Sequence, residues 1–467
     1  MEDLGISDII FTSLGIGSMI FLYFHIRFRL LCFLKTEAQK SLQKLKNKER
    51  YFFYNSHYIK QIGTYKFFHR RVTKEAKIYI TLSTSLKKGE KELQKAIKQT
   101  PQNWRLLLLY ADTCLTQNKR IEFANTLNNI HLPFWAASAL RADYLRLTAL
   151  NELYQTNMYD ASKKLSKALK IYQKNGYSYE EAECYLALGQ TYRISGVFDV
   201  AYTMFQEAEN LYKSMELASK QAEAVAYQGL LEISRENYHT SEEYFTQAEE
   251  LCQEHQLSQT ITAIKNWHGL SLYLQAKHPQ AQKFFQSVIS TKSTATKEAR
   301  AFAYEMLARI TFHAKKYDTA LRYTEQALIR HNDNRHQAGI FESLYLKAEI
   351  YYATDNLQKS TEILTALVRN KTSSYTTFYP ANAYSLLGLI EMRQNNLRMA
   401  RTLFKQALDL ENSKNRLKGA AIDYNNLAEI CLQEGDKTGA EKYLRQALRY
   451  AEEIEDNELK NYLKAKL

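Results

Sequence analysis

The chain has 467 residues, 45% of them apolar, enough to bury a packed core. Its five cysteines (Cys32, Cys114, Cys184, Cys252, Cys431) stand singly with no C-x-x-C pair, which excludes a disulfide scaffold and fits a reducing compartment. The formal net charge of +13 is concentrated: residues 27–100 hold 19 Lys/Arg against 5 Asp/Glu, and the rest of the chain is close to balanced. A protein basic along its whole length is thereby excluded.

In chain order, residues 1–8 form a short tail with Glu2, Asp3 and Asp8. Residues 9–26 then run without any Lys, Arg, Asp or Glu. Eighteen helical residues span about 27 Å, close to the hydrocarbon thickness of a bilayer. A cleaved signal peptide would need positive charge before the apolar run and small residues after it; acids precede this run and Tyr23, Phe24, His25 and Arg27 end it. The segment 9–34 is therefore expected to be a single transmembrane anchor. Arg27, Arg29 and Lys35 follow the apolar run 9–26, so the positive-inside rule places the N-terminus outside and the remainder in the cytoplasm. Residues 35–75 are expected to be a basic juxtamembrane segment. Aromatics alternate there with charges, as in Tyr65-Lys66-Phe67-Phe68-His69-Arg70-Arg71, a composition suited to an anionic lipid surface. The tether already accounts for this charge, so nucleic acid is not an expected partner.

From 76 to 131 the pattern is helical but irregular. Gly89 to Ile97, closed by Pro101, reads as one helix, and Leu107, Tyr110-Ala111 and Leu115 mark another. From 132 to 454 a period takes over. Ala149, Gly189, Gly229, Gly269, Ala308, Ala348, Gly388 and Ala428 recur every 40 residues, with one interval of 39. Two further series keep the beat: Ala161, Ala201, Ser241, Ala281, Ala320, Ser360, Ala400, Ala440, and Ala168, Ala208, Ala248, Val288, Ala327, Leu367, Ala407, Ala447. Such a period means stacked units, each covering its neighbour's apolar face, and it predicts one elongated all-α stack. In the unit around Gly189, Tyr185, Leu188, Gly189 and Tyr192 share a helical stripe, Ser195-Gly196 breaks the helix, and Ala201, Phe205 and Ala208 line a second. Small residues let the two backbones approach and the aromatics fill the remaining volume. The prolines (Pro101, Pro133, Pro279, Pro380) fall at predicted helix boundaries. Residues 455–467 start another unit and stop, and their charge suits a capping helix.

The unit at Gly189 resembles the tetratricopeptide repeat (TPR): Tyr185, Leu188-Gly189, Tyr192, Ala201, Phe205 and Ala208 match its pattern throughout. Other units depart from it, as with Glu391 in place of Tyr, and Ser360, Leu364 and Leu367 in place of Ala, Phe and Ala. The resemblance implies a superhelical solenoid of about 8–10 helix hairpins, with helices about a turn longer than in the usual 34-residue repeat. It implies a non-enzymatic scaffold that holds a protein or peptide in the groove lined by the first helix of each hairpin. An anchor, a basic segment and such a solenoid together look like membrane-bound bacterial TPR proteins. A peptide-sensing TPR regulator and an organelle import-type receptor are the alternatives.

The register places Arg193, Tyr273, Phe302, Arg309, Phe312, Tyr345, Glu349, Tyr352, Met392 and Arg393 along that groove. Aromatics and Arg dominate interface energetics, although rings at such positions also pack between repeats. Over all units the assigned groove positions hold more acids (Asp143, Glu183, Glu223, Glu305, Glu342, Glu349, Glu429) than bases (Arg146, Arg193, Arg309, Arg393). A ligand with apolar anchors and some Lys or Arg is therefore expected. Leu186, Gln190, Ala226 and Leu230 stand where a carboxylate clamp would want Lys and Asn, so an acidic chaperone tail is not expected. His331 and His336 flank a polar stretch read as a solvated turn rather than a metal site. Carboxylates elsewhere have the spacing of solvated helix faces. No nucleotide-binding or hydrolase motif occurs, so neither catalysis nor a cofactor is expected.

Overall fold

The computed structural model describes residues 86–467 with 78, 81 and 82, apart from 118, 133–135, 137, 156, 292–296, 334–335, 370–378 and 414–415. The expected anchor and juxtamembrane segment, with Arg27, Arg29, Lys35, Arg70 and Arg71, lie outside the described residues. Among the described residues no helix is long and apolar enough to cross a membrane. Twenty helices and no strand are found there. The chain divides into two compact units, Met1–Ser271 and Leu272–Leu467.

The first unit contains α1 (Leu86–Gln99), α2 (Trp104–Thr116), α3 (Arg120–Asn128), α4 (Ser138–Tyr154), α5 (Met158–Asn175), α6 (Ser178–Ile194), α7 (Phe198–Ser214), α8 (Ala218–Ser234), α9 (Tyr238–Glu254) and most of α10 (Thr260–Leu274). The second contains α11 (His278–Ser290), α12 (Lys297–His313), α13 (Tyr317–Asp333), α14 (Gln337–Ala353), α15 (Leu357–Arg369), α16 (Tyr379–Arg393), α17 (Leu397–Ser413), α18 (Leu417–Gln433), α19 (Lys437–Glu453) and α20 (Asn457–Lys464). The extra length of the repeat goes into the helices: α6 to α9 each run 17 residues and are joined by three.

The turns inside seven of the hairpins are built alike. One residue takes a left-handed backbone: Gly196, Glu236, Ala276, Lys315, Asp355, Asn395 and Gly435, at φ between 56 and 81°. The next N–H reaches back five residues to a helix carbonyl, as in Val197 N to Tyr192 O (2.9 Å), Lys316 N to Thr311 O (2.9 Å) and Asp436 N to Cys431 O (2.8 Å). This is the Schellman closure, which satisfies carbonyls a helix end would otherwise orphan.

The hairpins themselves close by exchange of volume. A methyl group on Gly189, Gly229 or Gly388 would strike the ring of Phe205, Phe245 or Phe404 at 2.5, 2.9 and 2.7 Å. Each ring lies sixteen positions after its glycine. Where the first position is Ala149, Ala348 or Ala428, the second is Leu165, Leu364 or Leu444. The large side chain shrinks as the small one grows, holding core volume near constant. These side chains are fully or almost fully buried. At the C-terminal end, Leu463 of α20 is buried against Leu444, Ala447 and Ala451, so α20 covers the last hairpin.

Candidate functional site

The first helices of neighbouring hairpins carry polar residues that meet in rows. In the first unit the row is Asp112, Asp143, Arg146, Glu183, Lys220 and Glu223. Arg146 Nη2 donates to Asp112 Oδ1 at 3.0 Å. Asp143 accepts from the Tyr172 hydroxyl, and Glu183 from that of Tyr212, both at 2.7 Å. Lys220 Nζ lies between Glu183 (3.2 Å) and Glu223 (3.1 Å). Burial opposes charge on Asp112, Arg146, Glu183 and Lys220. The Lys220 ammonium nevertheless overcomes that cost at Glu183 and holds its carboxyl below the usual range. The carboxylates likewise keep the Arg146 guanidinium charged. Arg193, also in this unit, donates to Ser234 Oγ at 3.1 Å, and burial lowers its pKa.

In the second unit the row centres on Arg309. Its Nη2 lies 2.6 Å from Glu342 Oε2 and 3.3 Å from Glu305 Oε1. Glu305 also faces His331 Nε2 at 3.6 Å. Glu349 stands beside them, bonded to the Tyr345 hydroxyl. Burial pushes its carboxyl up to about 7, against the partial opposition of Arg309 and Tyr345. Further along, the Arg393 guanidinium lies 4.7 Å from the Tyr352 ring centroid and also holds the Tyr352 carbonyl and Asp355 Oδ1, both at 3.2 Å. Tyr273 bonds His313 through its hydroxyl at 3.0 Å. Burial, then His278 and Arg309, lowers the His313 pKa.

The residues chosen from sequence thus fall into two kinds. Arg309, Tyr345 and Glu349 come together, Tyr352 meets Arg393, and Tyr273 meets His313. Phe302 stands edge-on to Phe285, with centroids 6.2 Å apart. Phe312 packs on the core of Ala308, Ala320, Leu346 and Ile350, and Met392 on the core containing Phe404. These last three rest half-buried on apolar clusters and offer an edge rather than a whole side chain.

Three sequence expectations are corrected. The acidic surplus of the rows is largely neutralised, because Lys220 and Lys466 lie outside the counted positions yet bridge Glu183, Glu223 and Glu429. Several carboxylates read as solvated are buried: Glu180, Glu232, Glu411 and Asp423. His331 is 5% exposed and no solvated turn residue, while His336 caps α14 by accepting from Gly339 N at 3.2 Å. The missed partners left a faint trace: Tyr172 and Tyr212 are 40 apart, and each follows an acid by 29 residues. Among the described residues no group of three or more His, Cys, Asp or Glu is placed to hold a metal ion.

Residues 379–453 match the family model described as tetratricopeptide repeat. No curated protein matches the chain. The apo quorum sensor NprR from B. thuringiensis is similar in structure, with a TM-score of 0.52 and 14% identity over 77% of this chain and 99% of that one. A signal transduction ATPase with a tetratricopeptide repeat sensor, from Pyrococcus horikoshii, gives 0.51 and 15% over 74% of this chain and 55% of its own. A Rap protein complexed with Competence and Sporulation Factor gives 0.50 and 16%, over 78% and 98%. At these identities the likeness is one of fold.

Proposed function

We infer, from the premise that this is a tetratricopeptide-repeat protein, that it is a non-catalytic docking protein for a protein or peptide segment. The observation that carries this reading is the row on α12, α14 and α16. Arg309, Tyr345, Glu349, Tyr352 and Arg393 are partly exposed there, aromatic and charged together, on rigid helices whose opposite faces are buried. Aromatic and Arg side chains carry most of the binding energy at protein interfaces. The ligand we favour has apolar anchors with some Lys or Arg, because Glu305, Glu342, Glu349 and Asp355 outnumber Arg309 and Arg393 around the rings of this row. We further propose that residues 9–34 anchor the protein in a membrane with the repeats in the cytoplasm. That rests on the apolar run and on the basic residues that follow it.

A photo-crosslinking residue at 345, compared with one at Tyr159 on α5, tests the docking face. Tyr159 is 73% exposed and remote from the row in sequence. A single protein captured from position 345 and not from 159 is expected, as is loss of that product in Tyr352→Ala with Arg393→Ala. Equal capture from both positions would move the docking site elsewhere. A second reading is a peptide-responsive regulator. It is favoured by the likeness over nearly the whole of the NprR and Rap chains, the latter solved with Competence and Sporulation Factor.

A further inference from the structure

Cations along the rows tie each hairpin to the next through a carboxylate. Arg146 reaches Asp112 at 3.0 Å, Lys220 reaches Glu183 at 3.2 Å, Arg309 reaches Glu342 at 2.6 Å and Arg393 reaches Asp355 at 3.2 Å. Lys466 pairs with Glu429 in the same way. Arg193, in the last turn of α6, departs from this pattern. Its Nη1 donates to the Ser234 hydroxyl of α8 at 3.1 Å, and that hydroxyl in turn donates to Leu230 O at 3.1 Å. Serine thus orients the guanidinium without neutralising it. Arg193 Nε is buried and has no acceptor. Among the described residues, no carboxylate forms an ion pair with Arg193. A half-buried guanidinium is left short of both an acceptor and a counter-charge, which is costly unless something supplies them.

The surroundings of Arg193 are apolar and aromatic. Ile194, the next residue, is 55% exposed. Tyr227 of α8 is the ionisable group that acts on the guanidinium. The Tyr227 ring is held from below by Phe205 of the core, with centroids 5.6 Å apart, and lies 5.2 Å from the ring of Trp267 on α10. Tyr227 and Trp267 are both half-buried, so each keeps part of its ring for a ligand. All of these residues belong to the first unit. The backbone donors close by are already used. After α6, Gly196 N donates to Arg193 O and Val197 N to Tyr192 O; after α8, Glu236 N donates to Ile233 O and Asn237 N to Glu232 O.

We propose that Arg193, with Ile194, Tyr227 and Trp267, forms a second docking subsite, which takes one Asp or Glu side chain carried beside an apolar residue of a protein segment. The proposal rests on the docking reading for the nature of the partner, and on other residues, in the other unit, for the site. The carboxylate provides the counter-charge and the acceptor that Arg193 lacks, and a charge-assisted hydrogen bond is strong where water is partly excluded. The apolar neighbour meets Ile194 and the two rings. A chain end fits less well, because terminal carboxylates are captured by clustered backbone N–H groups and those of both turns are spent. A run of acids fits less well too. Glu183 and Glu223, on the same two helices, already share Lys220 and would repel further negative charge.

Selection from a random peptide library on the full chain in mild detergent tests this. The peptides are displayed between two carrier segments, so that none has a free end. The wild-type protein should enrich sequences with one Asp or Glu next to Leu, Ile or Phe. Arg193→Gln should reduce that enrichment about tenfold or more, as expected when a buried charged hydrogen bond is lost. Arg193→Lys should keep part of it, and Arg193→Glu should turn the preference to Lys or Arg, which a purely structural role for Arg193 would not do. Ile194→Ser, at an exposed position, should keep the acid and lose the apolar neighbour, and it serves if a charge variant misfolds. Absence of an acid preference in the wild type would overturn the proposal, as would a preference that survives Arg193→Gln. Enrichment found only in a second library with free C-termini would assign the site to a chain end and overturn it as well. An acid preference lost in Tyr352→Ala with Arg393→Ala, but kept in Arg193→Gln, would refute this subsite while leaving the docking row of the second unit standing.

Discussion

Gly435 shows how much one backbone angle contributes. It sits at φ +81° with nothing within 4 Å of where a methyl group would go, so any cost of Ala there is conformational. Gly435→Ala should destabilise the last hairpin by about 1 kcal/mol, read as a lower melting temperature. The equivalent Lys315 already bears that strain at φ 56°. Lys315→Gly should raise stability by about 0.5 kcal/mol, the relief of the left-handed angle exceeding the entropy that glycine loses. A drop in stability in Lys315→Gly would mean that its aliphatic stem matters more than its backbone. Among the thiols, burial pushes Cys114 up to about 11 and Cys184 higher still, and Cys252 and Cys431 are buried as well. These four should react with a maleimide only on unfolding, within the unfolding transition rather than before it.

The hairpin is the scale at which sequence and packing meet. Gly388 and Phe404 occupy one volume, so each should tolerate change only when the other changes too. Gly388→Ala forces a methyl group against the ring and should cost about 1–3 kcal/mol. Phe404→Leu leaves a gap and should cost a similar amount. The double variant recreates the Ala–Leu pair seen at Ala428 and Leu444, and should cost less than the sum by about 1 kcal/mol or more. Strict additivity in urea titrations would show that the two positions are not coupled as the contact implies. The small residue and its period were legible in the sequence because they recur. The ring opposite was legible only as a pattern position, since what it touches depends on how the helices close.

At the scale of the molecule, stability should be local. Gly388→Leu should remove exchange protection from α16 to α19 and leave α6 and α7 intact, because each repeat is stabilised by its neighbours. Uniform loss would mean a single cooperative body. Deleting residues 1–35 should release a folded protein into the soluble fraction, and a reporter after Leu467 should read as cytoplasmic. An extracytoplasmic reading would reverse the proposed orientation.

Two things followed from sequence alone: the helical class and the 40-residue register. Both depend on positions that repeat, and repetition survives projection onto a string. The sequence could not say which charges meet. Lys220 reaches Glu183 over 37 residues, and Asp423 meets Ser385 over 38, because stacking brings successive hairpins side by side. Counting acids along the string therefore overstated the negative charge of the face and hid the buried carboxylates. His331 and Glu411 look like surface residues until the glycine beneath each one is seen to make room for it. Their burial is decided by the joint, where two helices close over a side chain that the string alone would leave in water.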